Sequence, residues 1–303
     1  MTTSTTADMN SALRRHVVVT PAHNEEQLLP RLCESMVRQT AQPSQWIVVD
    51  DHSTDCTAEI VEGYSERYPW ISRVAGALPE KRELGSKVAR LFLQGLATAR
   101  GDWSFCSKID ADLTLPLDYF EQILNRFAAN SRLGIAGGGC YEERNEEMWY
   151  EPVPIDHVRG ALKTYRRQCY EAIGGVRPIH GWDGVDALTA QITGWETRSF
   201  PEVKVLHHRS SGSARGLLEG RFKAGEFAHF MGYHPIFMAL RCGRRLLVDR
   251  PPLLAGAAMG AGFFWATIRG KPVFSERDVV RYLRGKQLRR LGLSFLFPED
   301  GDP

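Results

Sequence analysis

Ser104-Phe105-Cys106-Ser107-Lys108-Ile109-Asp110-Ala111-Asp112 carries an apolar run, entered from Trp103, into two carboxylates spaced two apart. A strand continued through them would place Asp110 and Asp112 on one face, at the strand end where open α/β sheets leave a ligand crevice. Carboxylates converging on one spot repel unless a cation sits between them, and oxygen-rich seats suit Mg²⁺ or Mn²⁺. The pair therefore reads as a metal seat for a diphosphate. An Asp-x-Asp also arises by chance in 303 residues, and Asp300-Gly-Asp302 in the tail is such an accident. The weight of the reading rests on what surrounds it.

Upstream, Val17 to Thr20 is a short apolar run ended by Pro21, as in a buried parallel strand. The polar turn Ala22-His23-Asn24-Glu25-Glu26 follows, then a one-sided helical pattern (Leu28, Leu29, Leu32, Cys33, Met36, Val37) with a cap expected near Asn24. The unit repeats: Trp46 to Val49 as strand, Asp50 to Asp55 as turn, and a helix through Ala58, Ile60, Val61 and Tyr64. Ile71 to Val74 reads as a third strand, and Gly85 to Ala99 as a helix with Val88, Leu91, Phe92 and Leu96 on one side. Such alternation implies a Rossmann-like α/β fold, a mostly parallel sheet flanked by helices. Neither Gly-x-Gly-x-x-Gly after the first strand nor Gly-x4-Gly-Lys-Ser/Thr is present. A bound nucleotide would be held by acidic and polar turns instead of a glycine cradle.

Downstream, Pro116 begins a helix with Leu117, Phe120, Ile123, Leu124 and Phe127 facing inward. Leu133 to Tyr141 reads as a strand whose Gly137-Gly138-Gly139 admits a close ligand or a neighbouring backbone. Glu142 to Asp156 is irregular and acidic. His157-Val158-Arg159-Gly160 leads to a helix ending at Ile173-Gly174-Gly175. His180 to Asp186 opens another, with Val185, Leu188 and Ile192 on one side, that stops at Gly194. Phe200 to Leu206 is extended and ends in His207-His208-Arg209.

Composition is that of a globular protein, 43% hydrophobic and 24% charged. Six scattered cysteines without a Cys-x-x-Cys pair argue against zinc sites and a disulfide framework and fit a reducing, cytoplasmic compartment. Residues 1–15 have no apolar core and read as a flexible lead, not a secretory signal. The net charge of +2 hides an asymmetry, with a basic region from Arg215 onward behind an acidic front. That front would repel phosphates, so nucleic acid is not an expected partner. Residues 213–303 read as a basic helical region. Within it Leu253 to Ile268 is charge-free and bounded by Arg250 and by Arg269 and Lys271. As a helix it falls short of the ~20 residues of a bilayer span. Two readings stand: shallow attachment to an anionic inner membrane face through 213–290, or burial against neighbouring helices, with Gly256 and Gly260 allowing close packing.

Taken in order, Thr20-Pro21-Ala22-His23-Asn24-Glu25, Val49-Asp50-Asp51-x-Ser53-Thr54-Asp55, Asp110-Ala111-Asp112, the Arg166 to Gly175 helix, the acidic turn at Asp183 and the late histidine make residues 16–209 resemble a family 2 glycosyltransferase of the GT-A fold. Two motifs depart from the family pattern: His52 stands where glycine is usual, and Trp182-Asp183 keeps only the second acid of an expected Glu-Asp. The Gln-x-x-Arg-Trp signature of processive synthases is missing, which points to transfer of a single sugar.

The resemblance implies a catalytic domain over 16–212, with a nucleotide-binding half (16–115) and an acceptor half (116–212). Pro21, Ala22 and Glu25 would line the base and ribose pocket and Asp51 would accept from a uracil N3–H, although Asp50 and Asp51 also suit plain turn chemistry. Lys87 would reach a phosphate or stand as a solvated charge. Asp110 would touch the ribose or support the metal, while Asp112 and His207, with His208 as fallback, would hold Mg²⁺ or Mn²⁺ on the donor diphosphate. Asp183 is the candidate base, with Asp186 as runner-up; its plain alternative is a helix cap. One base without a covalent nucleophile implies inversion. Trp149, Trp182 and Trp195 could stack on acceptor sugars or pack in the core. The expected partners are a nucleotide-sugar donor, in the first instance UDP-linked, and a glycan or lipid-linked acceptor hydroxyl, as in polysaccharide biosynthesis. A sugar-phosphate nucleotidyltransferase would want a glycine-rich, Arg-bearing loop after the first strand. A non-catalytic sugar-nucleotide-binding module would need neither Asp183 nor His207.

Overall fold

The computed structural model describes residues 15–77, 86–144, 147–209, 217–248 and 253–293. The lead up to residue 14, the Gly85 helix start, Arg215, Arg250 and the Asp300 tail lie outside them. The chain divides into two compact units, one ending at Arg209 and one beginning at Ser210.

In the first unit the chain alternates β1 (His16–Ala22), α1 (Leu29–Val37), β2 (Gln45–Asp50), α2 (Thr57–Arg67), β3 (Ile71–Ala75), α3 (Ser86–Ala97) and β4 (Phe105–Ile109). Then follow β5 (Leu113–Thr114), α4 (Tyr119–Ala129), β6 (Leu133–Arg144), β7 (Glu147–Tyr150), β8 (Leu162–Arg166), α5 (Arg167–Ala172), α6 (Trp182–Ile192) and β9 (Glu196–His207). One sheet of order β3-β2-β1-β4-β8-β6-β9-β5 results, with β7 paired to β6. Its first four strands are parallel, β8 then runs antiparallel to both β4 and β6, and β6 and β9 are again parallel.

Strand alternation divides the core between the two sheet faces. Val18, Trp46 and Val48 pack with Leu32 and Met36 of α1 and Phe120, Ile123 and Phe127 of α4. Val17, Val19, Ile47 and Val49 pack on the other side with Ala89 and Phe92 of α3, Cys169 of α5 and Ala190 of α6. Gly137, Gly138 and Gly139 of β6 serve neighbouring backbone. A Cβ at Gly138 would come 2.5 Å from the Val203 carbonyl, and one at Gly139 would come 2.9 Å from Pro201 Cα. Any side chain there would force β6 and β9 apart.

Four local expectations are corrected. The helix expected from Pro116 starts at Tyr119, so Leu117 precedes it and is exposed instead of facing inward. The first helix starts at Leu29 with Pro30 in its first turn, not near Asn24, because the Asn24 side-chain Oδ1 accepts from the Thr54 N–H at 2.8 Å and caps no helix. Within the stretch read as irregular, Glu147–Tyr150 forms β7 against β6. The segment after Gly160, read as leading straight into a helix, first forms β8, inserted between β4 and β6.

The second unit holds four helices among the described residues: α7 (Leu217–Phe230), α8 (Pro235–Val248), α9 (Leu254–Ile268) and α10 (Arg277–Arg290). Gly225 of α7 and Gly262 of α9 each face backbone of the other helix, and Gly256 faces the Cys242 carbonyl of α8. Gly260 meets only the Cys242 sulfur, at 3.6 Å. Close packing therefore runs through Gly256 and Gly262. No described helix is long and apolar enough to cross a membrane.

Candidate active site

The turns after β1 and β2 are stitched together. Asn24 N–H donates to Ser53 Oγ (3.0 Å), Glu25 N–H to Thr57 Oγ1 (2.7 Å), Glu26 N–H to Asp55 Oδ2 (3.1 Å) and Asp51 N–H to the Ala22 carbonyl (2.8 Å). Asn24 and His52 hold left-handed backbone at φ 53° and 54°. His52 thus adopts the conformation that glycine takes at no steric cost. Asp50 caps its own turn, accepting from Ser53 N–H at 3.2 Å, and pairs with Arg73. Asp51 is 5% exposed and lies 2.6 Å from Lys87 Nζ. Asp51 and Lys87, read separately from the sequence, are partners here.

β4 stops at Ile109, so Asp110 and Asp112 sit on the turn into β5 and not within the strand. On one side Asp110 N–H donates to the Ala161 carbonyl (2.8 Å), just before β8. On the other, Leu113 pairs with His207 at the end of β9. The turn is thereby wedged between the ends of two strands that run opposite to β4 and β5. Lys108, buried in β4, donates to Asp110. Burial pushes the Asp110 carboxyl up, against the pull of that ammonium.

His207 Nε2 lies 3.5 Å from Asp112 Oδ2, and its Nδ1 lies 4.0 Å from Glu151 Oε2, which Arg159 Nη1 approaches to 2.8 Å. Burial lowers the His207 imidazole, but the carboxylates of Asp112 and Glu151 outweigh it and push it up to about 9. Burial likewise opposes ionisation of Asp112, yet His207 holds its carboxyl below the ordinary value. His208 points elsewhere: its ring nitrogens face Thr114 Oγ1 (2.8 Å) and Arg31 Nη1 (3.3 Å). Of the two histidines, His207 is the one beside Asp112.

These residues fit a divalent ion. Two donors held about 2.1 Å from one octahedral ion stand roughly 3 Å apart, close to the Asp112–His207 spacing. The buried His207 Nδ1 makes no hydrogen bond, and Glu151 stands behind it as carboxylates stand behind metal-bound imidazoles. Cys140, Glu151 and His207 also bring donor atoms within 4.8 Å of one another. Burial pushes the Cys140 thiol up to about 12, however, and a thiol is a poor partner for Mg²⁺ or Mn²⁺.

Asp183 opens α6 behind the left-handed Gly181, φ 75°. Its side chain packs on Gly160, next to the Ala161 that binds Asp110, so Asp183 and the Asp110–Asp112 turn border the same end of the sheet. The Trp182 ring packs on Gly160 as well, with Lys108 Nζ 5.8 Å and Lys163 Nζ 5.5 Å from it. The Asp183 side chain is 35% exposed, with His157 Nε2 at 3.9 Å. Burial, together with Lys163, lowers His157 to about 4, which leaves that imidazole neutral. Asp186 differs: its side chain is 2% exposed, paired with Lys163 Nζ at 2.8 Å and bonded by Tyr165 Oη. Lys163 also donates to the Asp183 carbonyl at 2.6 Å. An acid so enclosed is out of reach of an external hydroxyl, whereas the Asp183 side chain is open to solvent.

Glu25 faces the site from the turn after β1, gripped through both oxygens by Arg209 just beyond β9. Pro21 and Ala22 end β1 beside β2. Trp182 is 5% exposed and belongs to the core, while Trp149 is 54% exposed on β7. Sequence reading missed Lys108, Glu151, His157, Arg159, Lys163 and Arg209. A lysine inside the apolar run Phe105 to Ile109 was the available signal for Lys108; Lys163 gave none while β8 went unread.

Residues 17–182, more than half of the chain, match the family described as Glycosyl transferase family 2. The chain belongs to that family. Among family relatives, the uncharacterized glycosyltransferase EpsJ of Bacillus subtilis is 25% identical over 149 residues, 48% of this chain and 40% of its own length. The dolichyl-phosphate beta-glucosyltransferase of Dictyostelium discoideum is 30% identical over 132 residues, 40% of this chain and 38% of its own. The matched stretch thus spans well under two thirds of either relative. The mannosyltransferase PcManGT of Pyrobaculum calidifontis, solved with GDP-Man and Mn²⁺, superposes with a TM-score of 0.53 at 17% identity, covering 94% of this chain and 88% of that one. GalNAc-T7, solved with UDP, GalNAc and Mn²⁺, gives 0.52 at 14% identity over 65% and 44%. The fold is GT-A, a sheet flanked by helices, here with a helical C-terminal extension.

Proposed function

We propose that this family 2 chain moves a single sugar, with inversion, from a nucleotide-diphosphate donor, UDP-linked in the first instance, to a glycan or lipid-linked hydroxyl. The observation that carries the reading is that the Asp112–His207 pair and the accessible carboxylate of Asp183 border one end of the sheet. Asp112 and His207 hold a Mg²⁺ or Mn²⁺ ion, which when bound supplies a Lewis acid for the leaving diphosphate. Glu151, paired with Arg159, sets its carboxylate behind the His207 ring, and Lys108 holds Asp110, which faces the ribose. Pro21, Ala22 and Glu25 line the nucleoside side. Asp51, supported by Lys87, presents an acceptor to the base. Asp183 accepts the proton of the attacking hydroxyl, held in place through its carbonyl by Lys163. Residues 16–115 serve the nucleotide and 116–212 the acceptor.

The helical unit attaches to the inner membrane face. Leu254, Ala257, Ala261, Phe264, Trp265 and Ile268 form an exposed apolar stripe along α9, next to Arg269 and Lys271. Such placement would bring a lipid-linked acceptor to the transferase domain.

Hydrolysis of a panel of nucleotide sugars, with and without divalent metal, tests the reading. One donor should be cleaved in a metal-dependent way, and Asp183→Asn should bind that donor without turning it over. A chain that binds sugar nucleotides and hydrolyses none would instead be a binding module.

A further inference from the structure

α10 carries Arg277, Arg281 and Arg284 at spacings of four and three, which aligns them on one helix face. Together with Val273, Phe274 and Val280 they line a cavity of about 280 Å³. That volume is below the usual range for nucleotide-sized ligands but ample for a phosphate. Three guanidinium groups share the wall and no carboxylate does, since Glu276 and Asp278 flank Arg277 in the chain without lining the cavity. Among the described residues the side chains of Arg277 and Arg281 make no hydrogen bond or ion pair. Arg284 Nε donates to the Gly232 carbonyl at 2.7 Å, which fixes its side chain. Gathering like charges around one hollow costs free energy unless an anion fills it, and the guanidinium fork matches phosphate oxygens in pairs.

The remaining lining is apolar, so the occupant has an apolar part beside its charge. The segment running into the cavity says where that part goes. Val273, which lines it, is 43% exposed and follows five residues after Ile268, the end of the α9 stripe in which Phe264 and Ile268 are each 65% exposed. Arg269 stacks on Trp265 at 4.4 Å, an aromatic and cation pairing suited to a headgroup layer. We propose that the α10 cavity seats the phosphate headgroup of an anionic membrane lipid while the α9 stripe lies among the acyl chains. This deepens the membrane attachment proposed above and rests on it.

Vesicle co-sedimentation of the full chain tests the assignment, using phosphatidylcholine alone and phosphatidylcholine with phosphatidic acid. At about 1 kcal/mol per basic residue near an anionic surface, two lost charges are worth roughly 30-fold. The pair R277Q/R281Q should weaken binding to the phosphatidic acid vesicles by at least that factor. R289Q/R290Q, an equal charge change on the same helix outside the cavity, should cost less than about fivefold. Equal losses from the two pairs would mean diffuse attraction and would overturn the seat. Wild-type binding that R277Q/R281Q leaves intact would overturn the seat alone, whereas a wild-type chain that ignores both vesicles overturns the membrane attachment with it. Calorimetric binding of inorganic phosphate without vesicle binding would make the cavity a free-anion site and overturn the lipid. Circular dichroism checks folding. If the double variant unfolds, R281K carries the test: it keeps the charge but loses the fork that binds phosphate oxygens in pairs, so one lost hydrogen bond of about 1 kcal/mol should cost about fivefold, against none for R290K.

Discussion

Replacing Lys163 by methionine removes the only cation that the structure pairs with Asp186 among the described residues, at a side chain that is itself 0% exposed. Breaking a buried pair from one side costs about 3–5 kcal/mol, because the partner stays buried without compensation. For a unit of this size, 1 kcal/mol moves Tm by roughly 2–4 °C, so a drop of roughly 6–20 °C is expected. The Asp183 carbonyl loses its donor at the same time. Asp186 has a way out, which is to take up a proton. Burial already raises its carboxyl to about 6 against the pull of Lys163 and Tyr165, and without Lys163 it rises further. The native state therefore keeps a proton that the unfolded chain releases near pH 4. This group's contribution to stability is fully present below that point and is lost as pH rises through about 6. In Lys163→Met the loss continues to higher pH. The double variant K163M/D186L, which removes both charges, should recover most of the stability. Denaturant unfolding followed by the fluorescence of Trp182, whose ring lies 5.5 Å from Lys163 Nζ, reads all three proteins. A loss below about 1 kcal/mol in K163M, or a further loss when D186L is added, would refute the reasoning.

The catalytic variants should separate binding from chemistry. Asp183→Asn should lower turnover by roughly 10²–10⁴ with donor affinity kept, as measured by single-turnover assays and calorimetry. His207→Ala and Asp112→Asn should each raise the metal concentration needed for half-maximal donor hydrolysis, and Thr114→Ala, which removes a partner of His208, should not. His16 is wholly buried, its Nε2 2.7 Å from Ser107 Oγ, and burial lowers it to about 3. The unfolded chain takes the proton near pH 6.5 and the native state does not, so this contribution is present at neutral pH and lost as pH falls. Between pH 7 and pH 5 it should remove about 2 kcal/mol, read by unfolding at the two values, and His16→Gln should flatten the difference. Arg209→Gln should weaken donor binding by releasing Glu25, seen as a rise in KM with little change in kcat.

Local pattern carried most of the first hundred residues. The first two βα units write the strand as an apolar run, the turn with Asn or Asp and the helix as a one-sided stripe, all within ~30 residues of chain, and the third repeats the strand and the stripe, so β1 to β4 were legible in order. The sequence also put Asp183 at the start of a helix and His207 at the end of a strand, where they stand, whereas Asp110 and Asp112 lie on the turn beyond β4 and not within it. β8 was not legible, since Leu162 to Arg166 is a strand only because β4 and β6 stand on either side of it, and that pairing joins residues far apart in sequence. With β8 went Lys163, and with Lys163 the reason why Asp186 is locked while Asp183 is open. The choice between His207 and His208 was likewise tertiary: adjacent residues on a strand face opposite ways, and only the position of β5 decides which ring meets Asp112. Sequence alone determined which groups could take part; which of them meet was set by long-range strand pairing, because a carboxylate's chemistry depends on the charges brought beside it in space.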